Sequence, residues 1–390
     1  MGKDRGRDHG VMQEGAGRET VKILHILYES KGDYFGIGGV GMRAYEIYGR
    51  LKGRHDITLL CKTYPGAKDR EIEGIRHIFV GAESRNLTRT LLSYAFNSAL
   101  YVKREGEKFD VIIEEFSPAI PTFLNFYKKR PVVLQIQGYT GTKYFGKYNP
   151  VYSALLYALE RLRPSFYKNV MLVSDVTRAR YSLKDGDKSV AMIPNGVSEE
   201  LLSCTPEKSD YVLFMGRIDI HHKGLDILLD AYREFSPSFP GIRLAVAGDG
   251  RDREKFGEGL MKLPEHIRKN IELLGWVSGD EKKEALRKAL FVVFPSRYEV
   301  QPISILEAMA CGKAVVVSDI PECSFVTQNG AGVAFKSGDP ASLAVSMKGL
   351  ATSAGLREMG RKGREWVKDF TWDKIAAQYE KFLVETVERR

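Results

Sequence analysis

The stretch FVVFPSRYEVQPISILEAMACGKAVVVSDI, residues 291–320, predicts the fold class of this chain. Its first apolar run, 291–294, is typical of a strand that is buried on both faces of a parallel sheet. A helix is predicted over 303–311, because Gly312 suits the left-handed position that follows a helix end. A second apolar run at 314–317 then completes a strand–helix–strand unit, which is characteristic of an α/β protein.

Two carboxylates flank the start of this predicted helix. Glu299 precedes Pro302, which suits the first helical position, and Glu307 lies about one turn inside the helix and leans back toward Glu299. Between them, the free N–H groups of residues 303–305 and the helix dipole favour an anion such as phosphate. The ordinary alternative is that Glu299 only complements the helix dipole and Glu307 is a solvated helix residue.

The composition indicates a globular protein of two domains. The chain has 390 residues, and its 43% hydrophobic and 28% charged content excludes a disordered class. No apolar run of about 18 residues is present, so no transmembrane segment is predicted. The net charge of +9 suits anionic ligands or an anionic membrane surface. No recognisable nucleic-acid-binding module accompanies it.

The N-terminal segment and the cysteines both favour a cytoplasmic protein. Residues 1–20 mix basic and acidic side chains without an apolar core, so we expect a disordered extension rather than a signal peptide. No two of the four cysteines have a C-x-x-C spacing, and most lie in or beside apolar runs. Buried free thiols in a reducing compartment are therefore expected. The cysteines are Cys61, Cys204, Cys311 and Cys323.

Strands alternate with helices along both halves of the chain, which predicts two doubly wound parallel sheets facing across a cleft. The turn signal Pro194-Asn195-Gly196-Val197 and the polar stretch 198–210 indicate the boundary. We therefore predict an N-terminal domain over 21–205, a second domain over 206–369 and a terminal helical segment over 370–390. A helix is predicted after the strand at 111–114, beginning near Pro118.

The glycine-rich segment 36–41, GIGGVG, contains G-x-G-x-x-G. As a dinucleotide fingerprint it is weak, because the loop from Tyr28 is too long and no acidic residue ends the next strand. Glycines there let backbone N–H groups approach a phosphate or a sugar closely. The alternative is a flexible loop without a ligand.

Arg217 and Lys223 lie six residues apart on a predicted loop at the carboxyl edge of the second sheet. This pair can bind a diphosphate from two sides, although solvated surface cations are the usual alternative. Trp276 follows another strand and could pack on a nucleobase or lie in the core. No metal site is predicted, since Asp185-Gly186-Asp187 is more typical of a surface turn.

Taken together, these segments resemble the retaining, family-4 glycosyltransferases of the GT-B fold, also called glycosyl transferases group 1. The resemblance extends over nearly the whole chain from about Val21 and depends on the order and spacing of several motifs. These are PNGV (194–197), FMGRIDIHHKGLDILLDAY (214–232), AGDG (247–250), LGWV (274–277), YEVQPISILEAMACGKAVV (298–316) and FTWDKIAAQY (370–379).

The resemblance implies catalytic roles for three residues. Arg217 and Lys223 would bind the donor's pyrophosphate and help the nucleotide leave, and Glu299 would hold hydroxyls of the transferred sugar. Glu307 would hold the ribose, and the terminal helix would cross back to the first domain. The implied donor-binding residues are Gly38, Gly39, Gln137, Gly216, Trp276, Gln301, Ile303, Ser304 and Glu307.

Two departures from the family pattern concern the donor sugar. Gln137 stands where many members have His, and Gln cannot act as an acid or base although it can hydrogen-bond a hydroxyl. Val300-Gln301-Pro302 replaces the common Gly-Phe-Gly, so one backbone N–H is lost and Gln301 could supply a side-chain contact instead. Both changes leave the expected nucleotide site intact.

The sequence therefore predicts retaining, metal-independent transfer of a hexose from a UDP or GDP sugar, with no cofactor, to a hydroxyl of a glycan or lipid-linked acceptor. The alternatives are a non-catalytic sugar-nucleotide-binding protein and a sugar-nucleotide epimerase of the same fold. The basic, aromatic stretch 87–104 could seat the protein at the inner face of the membrane, or it could be an ordinary helix that packs on the core.

Overall fold

The computed structural model describes residues 20–31, 37–84, 86–146, 148–181, 183, 188–207 and 210–389. Most of the N-terminal extension, Gly36 and the Asp185-Gly186-Asp187 turn lie outside these residues. The described chain forms two separate sheets, one of eight strands and one of six. The predicted pair of α/β domains with parallel sheets is confirmed.

The first sheet has the order β3-β4-β2-β1-β5-β6-β7-β8 and is parallel except for β3. Its strands are β1 Lys22–Ile26, β2 Asp56–Lys62, β3 Arg70–Ile72, β4 Ile75–Val80, β5 Val111–Glu115, β6 Val132–Ile136, β7 Asn169–Leu172 and β8 Ser189–Met192.

The second sheet is parallel throughout and has the order β11-β10-β9-β12-β13-β14. Its strands are β9 Tyr211–Met215, β10 Arg243–Ala247, β11 Ile271–Gly275, β12 Val292–Phe294, β13 Val315–Ser318 and β14 Gly332–Phe335. Strand order reverses between β9 and β12, and in an open α/β sheet such a switch point is where a ligand crevice forms.

Fifteen α-helices are present in the described residues. They are α1 Gly39–Leu51, α2 Leu87–Glu105, α3 Pro150–Leu162, α4 Asp175–Tyr181, α5 Glu199–Leu202, α6 Ile220–Lys223, α7 Leu225–Phe235, α8 Arg253–Met261, α9 Glu265–Arg268, α10 Gly279–Lys288, α11 Ile303–Ala310, α12 Ser324–Gln328, α13 Pro340–Ala351, α14 Leu356–Val367 and α15 Trp372–Glu388.

The apolar runs recognised in the sequence form the interior of each domain. The β9 run Tyr211–Met215 and the β12 run Val292–Phe294 are buried along their whole length, as expected for central strands covered on both faces. The four cysteines are all buried, as predicted.

Two predictions about local structure are wrong. The segment after β5 forms no α-helix between Phe116 and Pro131 and contains only a short 3-10 turn. Pro118 and Pro121 explain this, because each lacks an N–H donor and disfavours a helical residue before it. Pro302 precedes helix α11 as its N-cap instead of being its first residue.

Strand β3 was not predicted at all. It pairs antiparallel with β4 through a turn at Glu73 and Gly74, whose φ angles are 52° and 78°. Two consecutive positive φ angles are typical of the tight turns that join hairpin strands. The polar, three-residue strand has no periodicity that could reveal it.

The terminal helix α15 returns to the first domain. Val197 and Thr371 form an isolated parallel bridge where the chain crosses. The side chains of Trp372 and Tyr379 are buried in the core of the first domain, and the Tyr379 hydroxyl lies 3.1 Å from that of Tyr48 on α1. Since the first domain is built partly from the C-terminal end of the chain, α15 connects the two domains.

Candidate functional site

The loop after β9 is fixed by close backbone contacts. The Gly216 N–H donates to the Ala247 carbonyl at 3.0 Å, and a Cβ on Gly248 would lie only 1.9 Å from the Gly216 carbonyl oxygen. Gly224 has a φ of +65°, and a Cβ there would lie 2.0 Å from the Pro295 carbonyl oxygen. Glycine is therefore required where this loop meets the loops after β10 and β12.

Arg217 lies at the start of this loop with its side chain exposed. Among the described residues, no hydrogen bond or ion pair holds its guanidinium. Its charge acts on both domains, because it opposes the rise in pKa that burial causes at Glu29 and contributes to the lowered pKa of Asp219. The predicted diphosphate-binding cation is therefore at the junction of the two domains and is available to an anion.

Lys223 and Glu299 form a largely buried ion pair across the switch point. The ammonium Nζ lies 2.5 Å from Glu299 Oε1, which also accepts from the Ser296 hydroxyl at 2.7 Å. Burial alone would raise the pKa of Glu299, but the charge of Lys223 and the hydrogen bonds from Lys223 and Ser296 outweigh it, so the pKa is lowered. Glu299 is thus held ionised.

The second oxygen of Glu299, Oε2, has no hydrogen-bond partner in the described part of the chain. A carboxylate oxygen can accept hydrogen bonds in more than one direction. The ion pair therefore orients Glu299 through Oε1 alone, and Oε2 can accept a hydrogen bond from a ligand hydroxyl. Sequence reasoning placed Lys223 on a phosphate and did not anticipate that it pairs with Glu299.

Helix α11 presents its N-terminus at the boundary with the first domain. The side chain of Ile303 packs against the first domain's core, and the amides of Ile303 and Ser304 belong to the unsatisfied first turn. Helix dipoles favour anions at such ends. The predicted phosphate-binding amides thus lie where the two domains meet.

Glu307 on α11 is paired with Lys282 on α10, with 2.5 Å between Nζ and Oε1. Sequence reasoning missed this lysine, which adds a third cation near the site.

Trp276, which follows β11, has 59% of its surface exposed and is therefore not a core tryptophan. Its indole remains available to a planar ligand group.

A carboxylate occupies the glycine segment of the first domain. Glu29, just beyond β1, accepts N–H bonds from Gly38 at 2.8 Å and Gly41 at 2.7 Å. Burial raises the pKa of Glu29, and these two N–H groups oppose the rise. In this structure Gly38 therefore binds Glu29, while Gly39 begins helix α1 and a Cβ on it would meet no atom within 4 Å.

Gln137 is oriented by a buried carboxylate. Its Nε2 donates to Glu115 Oε1 at 2.8 Å, and the same oxygen also accepts from Gln135. His25 Nε2 lies 3.3 Å from it. Because Glu115 engages the NH₂ end of the Gln137 amide, its carbonyl Oε1 is the end left for a ligand. Glu115 was missed by sequence reasoning, since its partners lie on neighbouring strands far apart in sequence.

The segment Val300-Gln301-Pro302 is anchored to the interdomain turn. Gln301 Oε1 accepts from the Asn195 N–H at 2.5 Å, and Asn195 Nδ2 donates to the Gln301 carbonyl at 2.8 Å. The side-chain oxygen and the backbone carbonyl of Gln301 are therefore both bound to the turn that joins the domains. A contact between Gln301 and a donor sugar stays a prediction.

Two further contacts join the domains around the site. Arg180 pairs with Glu322 at 2.6 Å, and Lys143 Nζ donates to the Arg297 carbonyl at 3.2 Å. The cleft is therefore bridged by polar side chains.

The cleft combines unpaired and paired cations, a helix N-terminus and an ionised carboxylate. This combination suits a ligand with both phosphate and hydroxyl groups. Within the described residues, no three His, Cys, Asp or Glu side chains form a metal-ligand cluster.

Two family models match the chain, one in each domain. The model described as Glycosyltransferase Family 4 matches residues 37–201, and the model described as Glycosyl transferases group 1 matches residues 209–353. The border between the two matches, at residues 202–208, lies within the polar stretch 198–210.

Curated relatives include a phosphatidyl-myo-inositol mannosyltransferase of Mycobacterium leprae, 34% identical over 228 residues. That match covers 56% of this chain and only 59% of the relative's length. An uncharacterized glycosyltransferase of Methanocaldococcus jannaschii is 26% identical over 362 residues, which is 87% of this chain and 92% of that protein.

Solved structures share the fold at low identity. Sucrose-phosphate synthase from Thermosynechococcus elongatus superposes with a TM-score of 0.76 at 19% identity, over 96% of this chain and all of that one. The Anabaena protein HepE, in complex with UDP and glucose, gives 0.70 at 17% identity, over 93% of this chain and 99% of that one. These similarities establish the architecture of two facing α/β domains.

Proposed function

We propose a reaction for this chain from the premise that it belongs to the family-4 glycosyltransferases, also called glycosyl transferases group 1, and has the GT-B fold. It transfers a hexose from a nucleotide-diphosphate sugar to a hydroxyl of a glycan or lipid-linked acceptor, with retention of the anomeric configuration. The observation that supports this best is the placement of Arg217, Lys223 and the α11 N-terminus around the ionised Glu299.

Charge placement suggests how the leaving group is stabilised. As the bond between the sugar C1 and the phosphate oxygen breaks, negative charge develops on the diphosphate. Arg217, Lys223 and the amides of Ile303 and Ser304 would receive that charge without reorganising, which is the most effective form of electrostatic stabilisation. No metal or cofactor enters this proposal.

Retention requires attack from the face that the phosphate leaves. The acceptor oxygen would form its bond to C1 on that face, and the departing phosphate oxygen would take the acceptor's proton. Glu299 Oε2 and the Gln137 carbonyl would hold the sugar's hydroxyls, and Glu307 with Lys282 would hold the ribose end. The exposed Trp276 would pack on the base.

The relatives of this chain suggest which donors to test first. One relative is a mannosyltransferase that acts on phosphatidyl-myo-inositol, and one structural neighbour was crystallised with UDP and glucose. We therefore propose mannose or glucose as the transferred sugar.

A donor screen by thermal shift, followed by turnover, tests the function. We expect GDP-mannose or UDP-glucose to raise the melting temperature, because a ligand that binds only the folded state stabilises it. With a matching acceptor, free nucleoside diphosphate should then accumulate, and NMR of the product's anomeric proton should report retention. Stabilisation without turnover on any acceptor would favour a non-catalytic binding protein, and an altered free sugar nucleotide would favour an epimerase.

Gln137 provides a test of sugar binding separate from nucleotide binding. We expect Gln137→Ala to lower kcat/KM about tenfold, because one hydrogen bond to the sugar is lost at a cost of about 1.4 kcal/mol. Stabilisation by the nucleoside diphosphate alone should not change. Glu115→Leu should reproduce the kinetic effect in a weaker form, since Gln137 would remain but lose its orientation.

Gln378→Ala is a matched control for Gln137→Ala, because Gln378 is exposed on α15. It should leave both kcat/KM and nucleotide binding unchanged. If Gln137→Ala transferred sugar as efficiently as this control, Gln137 would have no contact with the donor sugar.

A further inference from the structure

Helix α3 in the first domain exposes apolar side chains and buries polar ones. The side chains of Val151, Leu155 and Leu162 point to solvent, and Val151 is 82% exposed. The buried positions of the same helix are Ser153, Leu156 and Glu160, so two of the three are polar. A helix on the surface of a water-soluble domain normally places its apolar stripe toward the core.

The orientation of α3 is fixed by satisfied polar contacts. The Ser153 hydroxyl donates to the Tyr144 carbonyl at 2.8 Å. Glu160 accepts N–H bonds from Thr140 at 2.8 Å and Gly141 at 2.6 Å. Since these buried groups would be costly to leave unpaired, α3 cannot rotate its apolar side chains inward without losing all three contacts.

The segments on either side of α3 in the chain also expose apolar side chains. Eleven of the fifteen large hydrophobic side chains that are exposed in the described residues lie between positions 87 and 166. Concentrations of exposed apolar side chains are typical of interaction sites. We call them the apolar patch, and its members are Leu87, Leu92, Phe96, Phe123, Phe126, Phe145, Tyr148, Val151, Leu155, Leu162 and Phe166.

The segments that hold the apolar patch cover one face of the first sheet. Tyr94 of α2, Leu124 of the 3-10 turn and Tyr167 after α3 are buried in a common core cluster. Helices α1 and α15 pack in a different cluster. The apolar patch is thus on the side of the sheet opposite to α15.

Most of the chain's excess positive charge lies in the same segment. Residues 85–168 contain 13 Lys and Arg but six Asp and Glu, a net charge of +7 out of +9 for the whole chain. Glu114, Glu115 and Glu160 are buried together with one cation, Arg163, so burial removes more negative than positive charge from the surface of this segment. Exposed apolar side chains in a strongly basic segment favour an anionic lipid surface.

We propose that the apolar patch docks the first domain on an anionic lipid bilayer, with the exposed apolar side chains of α3 inserted among the lipid chains. A second copy of this chain fits the surface less well, because two strongly positive segments would be brought together. The described chain has no helix with the length and hydropathy to cross a bilayer, so the contact is peripheral. The proposal rests on the proposed function only for the idea of a lipid-linked acceptor at that surface.

Vesicle flotation of the full chain tests the docking. We expect the protein to float with phosphatidylcholine–phosphatidylglycerol vesicles, and to float weakly with phosphatidylcholine alone or at high salt. The double variant Val151→Glu with Leu155→Glu should lower partitioning at least tenfold, roughly the effect of removing several buried methylene groups and adding two charges. Equal flotation of this variant and the wild type would overturn the proposal.

Val345→Glu is the matched control, because Val345 is 65% exposed on α13 of the second domain. It should float like the wild type, and an equal loss in both variants would contradict a specific role for α3. Size-exclusion chromatography tests whether a second copy of the chain covers the patch instead. If the wild type is a dimer, the α3 variant is a monomer and neither binds vesicles, the partner of the patch is a second copy and the bilayer proposal is contradicted.

Measuring the melting temperature with a sugar nucleotide distinguishes a failure of the docking proposal from a failure of the proposed function. The α3 variant should retain the melting-temperature increase with a sugar nucleotide. If the wild type floats but no donor stabilises it, the proposed function fails and the docking remains. If donors stabilise it and it never floats, only the docking is contradicted.

Discussion

Replacing Arg217 with Ala is expected to lower kcat by about 100-fold or more and to leave the melting temperature unchanged. The loss corresponds to about 3 kcal/mol of transition-state stabilisation, the size observed when one charged or hydrogen-bonding group is removed from a developing anion. Stability should not change, because the exposed guanidinium pairs with no other described side chain. Steady-state kinetics and thermal unfolding of the same preparation measure both quantities.

Two further variants complete this experiment. Arg253→Ala is the matched control: Arg253 is also exposed near the carboxyl edge of the second sheet, and it pairs with Asp249 at 3.2 Å. It should retain full activity. Arg217→Lys should recover part of the rate, since it restores charge but not the planar fork that binds phosphate oxygens in pairs. Full activity in Arg217→Ala would remove Arg217 from the proposed mechanism.

The doubly wound fold could be predicted because central parallel strands are apolar on both faces. The runs that became β9 and β12 stand out from any helical pattern and are followed by glycine or proline. Strand β3 could not be predicted, since an edge strand of three residues has neither an apolar face nor a periodicity. The helix predicted after Pro118 is absent because the alternation of strands and helices favours a helix at a place where two prolines prevent it.

The residues of the site also include some that the sequence predicts and others that it does not. Arg217 and Glu299 could be predicted because each lies in the loop that follows a central strand, and the carboxyl ends of parallel strands share one edge. Glu29, Glu115 and Lys282 could not, because each acts through a partner on another element. No spacing in the sequence reports that Gly38 binds a carboxylate of its own domain, or that Glu115 fixes the amide of Gln137.

Replacing Lys223 with Ala is expected to affect both activity and stability. The kcat should fall about 100-fold or more, for the reason given for Arg217. In addition, the free energy of unfolding at neutral pH should fall by about 3–5 kcal/mol, because Glu299 would be left as a buried carboxylate without its cation. Lys348→Ala, which removes a partner from the exposed pair with Glu234, should change neither quantity appreciably.

The stability loss of Lys223→Ala should depend on pH. In the wild type the pKa of Glu299 is lowered, so its pairing stabilises the fold above the ordinary carboxyl pKa and the contribution is lost as the pH falls through the lowered value. Without Lys223, burial would dominate and raise that pKa. The variant's disadvantage should therefore be largest near neutral pH and shrink on acidification, as Glu299 becomes protonated. Denaturant unfolding at several pH values measures this difference.

The double variant Lys223→Ala with Glu299→Gln separates the two effects of the lysine. Removing the carboxylate removes the unpaired charge, so the double variant should regain most of the lost stability. It should not regain activity, because the cation that faces the leaving phosphate would be absent and a neutral amide would replace the ionised carboxylate at the sugar hydroxyls. Recovery of turnover together with stability would mean that Lys223 serves only to neutralise Glu299, and the stabilisation of the leaving group would then have to come from Arg217 and helix α11 alone.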